Sequence, residues 1–144
     1  MTSTPQFSRL DTTRPDGCFI QFARIIEPDM SATRPDEISD GFWPSSDTQA
    51  PGYVPPERFA EELDKAHARM RGFELGAWEY IGVRARALCL VVRDRVGTLI
   101  NIDSPGVWGV ESDSGEEHIK GIYEDEISQL QDILAAFGNV TFEA

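Results

Sequence analysis

The sequence predicts an α+β fold: a small antiparallel sheet of three to four strands with two amphipathic helices packed on it. Two patterns carry this. From Val83 to Val91 apolar and other residues alternate with the period of a strand, and two later or earlier stretches, near 57–72 and 115–137, repeat their apolar residues every three to four positions, the period of a helix. A third observation sets the size. With 144 residues, 40% of them hydrophobic, the chain is long enough for one compact domain and short for two, so 17–144 is expected to form a single domain behind a flexible tail, residues 1–16, whose Ser, Thr, Pro and Arg show no periodicity.

Cys18, Phe19, Ile20, Phe22, Ile25 and Ile26 form an apolar run between Gly17 and Glu27-Pro28 and read as a buried strand. Pro28 to Pro56 is proline-rich, irregular chain far longer than an ordinary connection. Phe42, Trp43 and Tyr53 within it are too large to dangle, and covering a sheet face is their expected use, with a recognition loop as the alternative. Pro56 opens a helix at its first turn, and Phe59, Leu63, Ala66 and Met70 give its apolar face, ending near Gly72. His67 lies beside that face, and a lone histidine there reads as a hydrogen-bonded edge residue rather than a ligand.

The long strand runs from Trp78 to Val92. One face carries Val83, Ala85, Ala87, Cys89 and Val91, the other Arg84, Arg86, Leu88, Leu90 and Val92, with Gly82 a candidate bend or bulge. Arg93 to Gly97 predicts a hairpin of four or five loop residues before Thr98–Ile102. Val107–Val110 is a last short strand, and Val140–Phe142 offers an edge. In the terminal helix Ser114 and Glu117 have capping-box spacing, with Asp113 a competing cap. Ile119, Ile122, Tyr123, Ile127, Leu130, Ile133, Leu134 and Phe137 form the stripe, and Gly138 follows as the left-handed stop. Glu126 falls inside that stripe and calls for a basic partner; Arg84 or Arg86 is expected, on a strand face the helix covers.

Charge is unevenly placed within the net −12. Residues 1–110 hold sixteen acids against twelve bases, whereas residues 111–144 hold nine acids against Lys120 alone. On the helical wheel Glu117, Glu124, Asp125 and Asp132 stand opposite the apolar arc, around Gly121 and Ser128, in pairs seven residues and about 10.5 Å apart along the axis. Such a face repels nucleic acid and attracts basic protein surfaces; a solvated outer helix face has the same composition. No phosphate loop, G-x-S-x-G, H-E-x-x-H or C-x-x-C pattern occurs. Glu111 to Glu117 lacks the alternating acids of an EF-hand, and Cys18 and Cys89, far apart in sequence, read as buried free thiols. No catalytic residue, metal site or cofactor is predicted, and an interaction protein is favoured over an enzyme. With no long apolar run and no signal-like N-terminus the cytoplasm is the expected compartment and no membrane association is expected, so the Asn139-Val-Thr141 sequon reads as chance.

The segment Ser104-Pro-Gly-Val-Trp-Gly-Val-Glu-Ser-Asp-Ser114, with Trp78-Glu-Tyr-Ile-Gly82 and Gly41-Phe-Trp-Pro-Ser45, resembles small acidic proteins of bacteriophages and mobile elements. What the resemblance implies is context: small acidic phage proteins commonly act on host machinery, and many anti-CRISPR and anti-restriction proteins are acidic folds that occupy nucleic-acid grooves. The resulting expectation is an inhibitor that binds a host defence complex, a CRISPR effector foremost, through its basic nucleic-acid groove, using Glu117, Glu124, Asp125 and Asp132 and binding no nucleic acid itself. The alternatives are an accessory module of a mobile element that binds its partner through Phe42, Trp43 and Tyr53, and a small enzyme with an unrecognised site.

Overall fold

The structure, a computed structural model, describes residues 8–136, 138 and 140–143. Residues 1–7 of the expected tail, Phe137 of the helix stripe and Asn139 of the sequon lie outside the described residues. Two compact units result, one of Met1–Glu27, Gly82–Val110 and Ser114–Ala144, the other of Pro28–Ile81 and Glu111–Asp113.

The first unit is α+β, and its sheet is larger and more mixed than expected. Among the described residues six strands form it: β1 (Ser8–Asp11), β2 (Gly17–Pro28), β3 (Tyr80–Arg93), β4 (Val96–Asp103), β5 (Val107–Glu111) and β6 (Val140–Phe142). Their order is β1-β4-β3-β2-β6, with β5 on β3. The short strands at Val107 and at Val140 lie where the sequence offered them, and the unforeseen addition is β1, whose pairing, not its composition, makes it a strand. Residues 8–11, expected in the tail, pair with the outer edge of β4 from Ser8↔Leu99 to Asp11↔Val96, which satisfies that edge's backbone groups. β6 runs parallel to β2, from Cys18↔Val140 to Ile20↔Phe142, so the sheet is not purely antiparallel. The β3–β4 hairpin is tighter than predicted: Arg93 faces Val96, leaving only Asp94 and Arg95 in the turn, both at positive φ (52° and 67°). That is the two-residue turn whose twist matches its strands. Asp16 helps hold it by accepting the Asp94 N–H at 2.9 Å.

Helix α3 (Glu116–Ala135) covers one face of this sheet. Leu130 and Leu134 pack with Ile20, Ala85, Ala87 and Cys89, and Tyr123, Ile127 and Phe22 join at the margin. The two alanines let the helix approach closely. This is the opposite face from the one expected: α3 lies over Ala85, Ala87 and Cys89, not over Arg84, Arg86, Leu88 and Leu90. Consequently Glu126, 3% exposed, pairs with no arginine among the described residues. It accepts the Ser104 hydroxyl at 2.9 Å and the Gln129 amide at 3.2 Å, while Ser104 Oγ itself accepts the Ala85 N–H at 2.9 Å. Ile133, placed in the stripe by its spacing, is 57% exposed. The capping box does not form; Gly115, at φ 100°, is the N-cap and no side chain caps the helix. Gly138 does take a left-handed φ of 71°. Cys18 and Cys89 are free thiols, as expected, though only Cys89 is fully buried, and they are neighbours in this core, where burial and then the adjacent Cys18 push the Cys89 thiol up to about 11.

On the other face Arg84 and Arg86 turn to acids of the sheet itself. Arg86 forks onto Asp103 at 2.7 and 3.1 Å, and Arg84 reaches Glu27 at 2.8 Å and Asp103 at 3.3 Å. The Arg86 hydrogen bonds hold the Asp103 carboxyl below its ordinary range against the opposing effect of burial. A carboxyl lowered on folding adds stability above its unfolded value and loses it as pH falls through the folded one. Asp103→Asn is therefore expected to cost about 1 to 3 kcal/mol at neutral pH and to flatten the decline in stability below about pH 4. Urea titrations of both proteins from neutral to acid pH measure this; parallel pH profiles would show that Asp103 is not the group responsible.

The second unit is built on helix α2 (Pro56–Glu74), with a single turn of helix, α1 (Pro35–Ile38), before it. Pro56 at the first helical position opens α2, which runs two residues past Gly72, and Gly76 at φ 76° follows its end. Ala66 and Met70 are its buried face, and Trp78 packs in a cluster with Phe73 and Tyr80. The proline-rich segment is pinned, as expected, though on α2 of its own unit: Trp43 packs on His67 with ring centroids 5.0 Å apart. His67, at the edge of that face as expected, is exposed and serves as a stacking partner of Trp43.

Candidate protein-binding surfaces

The outer face of α3 is where the helical period puts it. Burying Ile119, Glu126, Leu130 and Leu134 turns Glu117, Glu124, Asp125 and Asp132 outward, and all four are exposed, as are Gly121 and Ser128 between them. A side chain at Gly121 would meet nothing within 4 Å, so the floor of this face is open. Only Lys120 offers an intrahelical cation, 3.9 Å from Glu124 with both side chains about 60% exposed, and such a pair is worth well under about 1 kcal/mol. At the helix start Arg24 of β2 pairs with Glu116, which leaves Glu117 facing solvent. The face is a predominantly acidic array on a packed helix. It can present carboxylates to a basic surface with no loss of fold, because none of the four takes part in the core.

The second candidate surface is divided by the structure. Gly41 and Gly52 bring the two limbs of the loop together so closely that a Cβ on Gly52 would lie 2.8 Å from the Gly41 carbonyl oxygen, and Ser45 bridges Tyr53. Phe42 and Tyr53, with Pro44 and Val54, line a cleft of about 410 Å³ whose other wall is α2 at Glu62, Lys65 and Arg69. Tyr53 is 40% exposed there. Trp43 meets Phe42 edge-on but packs on His67, and its indole N–H donates to Asp36 at 3.3 Å. It is an anchor, and Phe42 and Tyr53 are the residues left to make contacts.

Sequence reasoning missed Arg69 altogether. Its guanidinium lies 3.6 Å over the Trp78 ring, bonds Glu111 at 2.8 Å and forks onto Asp113, while Trp78 returns its indole N–H to the Arg69 carbonyl at 3.0 Å. The Arg69 hydrogen bond holds the Asp113 carboxyl below its usual range. Only the pairing of an arginine with an acidic segment more than forty residues away reveals this, and neither residue has a local signature. With all its charge already engaged, Arg69 seals one end of the cleft and is not a free anion receptor.

Among the described residues no group of three or more His, Cys, Asp or Glu is disposed to hold a metal ion, and no helix is long and apolar enough to cross a membrane. Compared with known protein families, curated proteins and solved structures, the chain matches none.

Proposed function

We propose that this protein is a stoichiometric inhibitor that binds a nucleic-acid-binding protein of the host, a CRISPR effector complex being the foremost candidate, and blocks its basic groove with the outer face of α3. The observation that carries the reading is the joint exposure of Glu117, Glu124, Asp125 and Asp132 around Gly121 and Ser128, on a helix whose core side chains lie elsewhere. Close approach of the small residues lets the flanking carboxylates stand where phosphates stand in the groove. It acts by occupancy, without turnover. Association is then steered by long-range attraction, which salt screens over about 8 to 10 Å.

Replacing all four acids by Lys is expected to abolish inhibition and to leave the fold intact, with the melting temperature unchanged or raised as self-repulsion falls. The measurement is capture of a host nucleic-acid-binding complex at low and high salt, with loss of that complex's nucleic-acid binding as the readout. Capture by the wild type should fall steeply with salt and be competed by a polyanion. Full inhibition by the quadruple variant would reduce the acidic face to a solubilising surface. A second reading, an accessory module that grips its partner at Phe42 and Tyr53, is favoured by the exposure of Tyr53 beside the cleft, and it predicts salt-insensitive binding lost on loop mutation.

A further inference from the structure

Cys18 of β2 and Cys89 of β3 stand on neighbouring strands and on the face of the sheet that α3 covers. They pack in one core with Ile20, Ala87 and Leu130, and their thiols hydrogen-bond to each other. Neighbouring strands lie about 4.8 Å apart, and a disulfide joins Cα atoms about 4.4 to 6.8 Å apart. Two contacting cysteines on such strands therefore need only a small approach to be joined. Their exposure differs, Cys18 being half-buried and Cys89 only 2% exposed. A reagent from solvent meets Cys18 first, with Cys89 behind it as the resolving thiol.

We propose that Cys18 and Cys89 form a reversible disulfide that ties β2 to β3. The oxidant is a small disulfide of the oxidised-glutathione class. The Cys18 thiol gives its proton to solvent and its sulfur attacks one sulfur of the reagent, whose S–S bond breaks and releases one thiol. Cys89 then loses its proton and attacks the Cys18 sulfur, breaking the mixed disulfide and releasing the second thiol. In net, two electrons and two protons pass from the cysteine pair to the reagent, and reduced glutathione reverses the sequence. Burial holds both thiols above their ordinary value, so thiolate is scarce at neutral pH and closure is slow. The pair responds to sustained oxidation and not to brief exposure. Once closed, the bond encloses the whole of Pro28–Ile81, the body of the second unit, in a covalent loop. Closing so long a loop lowers the entropy of the unfolded chain more than closing a short one.

The test is incubation of the folded full chain with oxidised glutathione at about pH 8, near the ordinary thiol value, for hours. Mass spectrometry is expected to show a chain lighter by two hydrogens, with free thiols falling from two to none and a monomer on a non-reducing gel. The oxidised chain should melt at least about 5 °C higher and return to its starting temperature on reduction. A protease cut within Pro28–Ile81 should leave the two pieces joined until reductant is added. Cys89→Ala should stop at a glutathione adduct on Cys18. Cys18→Ala, which keeps the buried thiol, should react far more slowly than the wild type and gives an independent reading should the first variant unfold. Two thiols that persist in the folded wild type, a glutathione adduct that does not resolve, or disulfide-linked dimers in place of the internal bond would each overturn the proposal.

Discussion

Ser104→Ala is expected to lower the unfolding free energy by about 2 to 4 kcal/mol, out of proportion to the single oxygen removed. The hydroxyl sits between two buried groups, accepting the Ala85 N–H and donating to Glu126, and Ser104 is itself 2% exposed. Its removal orphans a buried donor and a buried acceptor at once, and each such group costs about 1 to 3 kcal/mol. Glu126→Ala removes the same contact from the other side and adds a cavity, at a comparable cost. Glu126→Gln behaves differently. Its amide oxygen still accepts from Ser104, no arginine is left behind, and the change is expected to stay within about 1 kcal/mol. The Ser104→Ala, Glu126→Ala double variant should fall short of the summed losses by about 1 to 2 kcal/mol, the mark of a shared interaction. Urea unfolding of the four variants measures all of this, and a Ser104→Ala protein within about 0.5 kcal/mol of the wild type, a change typical of surface sites, would show that the hydroxyl does not bridge these groups.

Glu126 also shows where sequence reasoning stops. The helical wheel placed it in the buried arc, and it is buried, because burial on a helix follows from a local period. Its partner follows from which face of the sheet the helix covers, and that is not local. Both faces of β3 contain apolar residues; what decides between them is that Ala85 and Ala87 are small enough to admit α3 whereas Arg84 and Arg86 find Glu27 and Asp103 on adjoining parts of the chain. The same division runs through the rest of the fold. Helices α2 and α3 and strands β3 and β4 were legible because their patterns are long. β1 acquires strand character only from β4, so its four residues carried too little signal, whereas Val140–Phe142 was legible as an edge and only its parallel pairing with β2 was not. At the candidate surfaces the exposure of Glu117, Glu124, Asp125 and Asp132 followed from the wheel. The split of the aromatic loop, with Trp43 anchored on His67 and Phe42 and Tyr53 left at a cleft, depends on two glycines meeting across ten residues of loop and had no local sign.

Gly82→Val is expected to destabilise the protein by about 2 to 3 kcal/mol even though valine suits a strand better than glycine. Gly82 is a buried residue of β3 at an ordinary strand φ, so the backbone accepts a side chain. What does not accept it is Trp108, whose ring would lie 2.3 Å from the new Cβ. The indole therefore has to leave its seat, losing its packing on the strand and the hydrogen bond from its N–H to the Pro105 carbonyl at 3.0 Å. A tryptophan side chain presents up to about 250 Å², and with Trp108 44% exposed its seating on one face is worth about 2 to 3 kcal/mol once residual burial in the unfolded chain is allowed for. Trp108→Ala should cost a similar amount. In that background the same Gly82→Val change is expected to become neutral or stabilising, since the valine then fills the space the indole vacated and the strand gains a β-branched residue. Tryptophan emission gives an independent readout, moving to the red in Gly82→Val as the indole enters water. If Gly82→Val were equally damaging with and without Trp108, the glycine would be required by the backbone of β3 and not by the tryptophan laid across it.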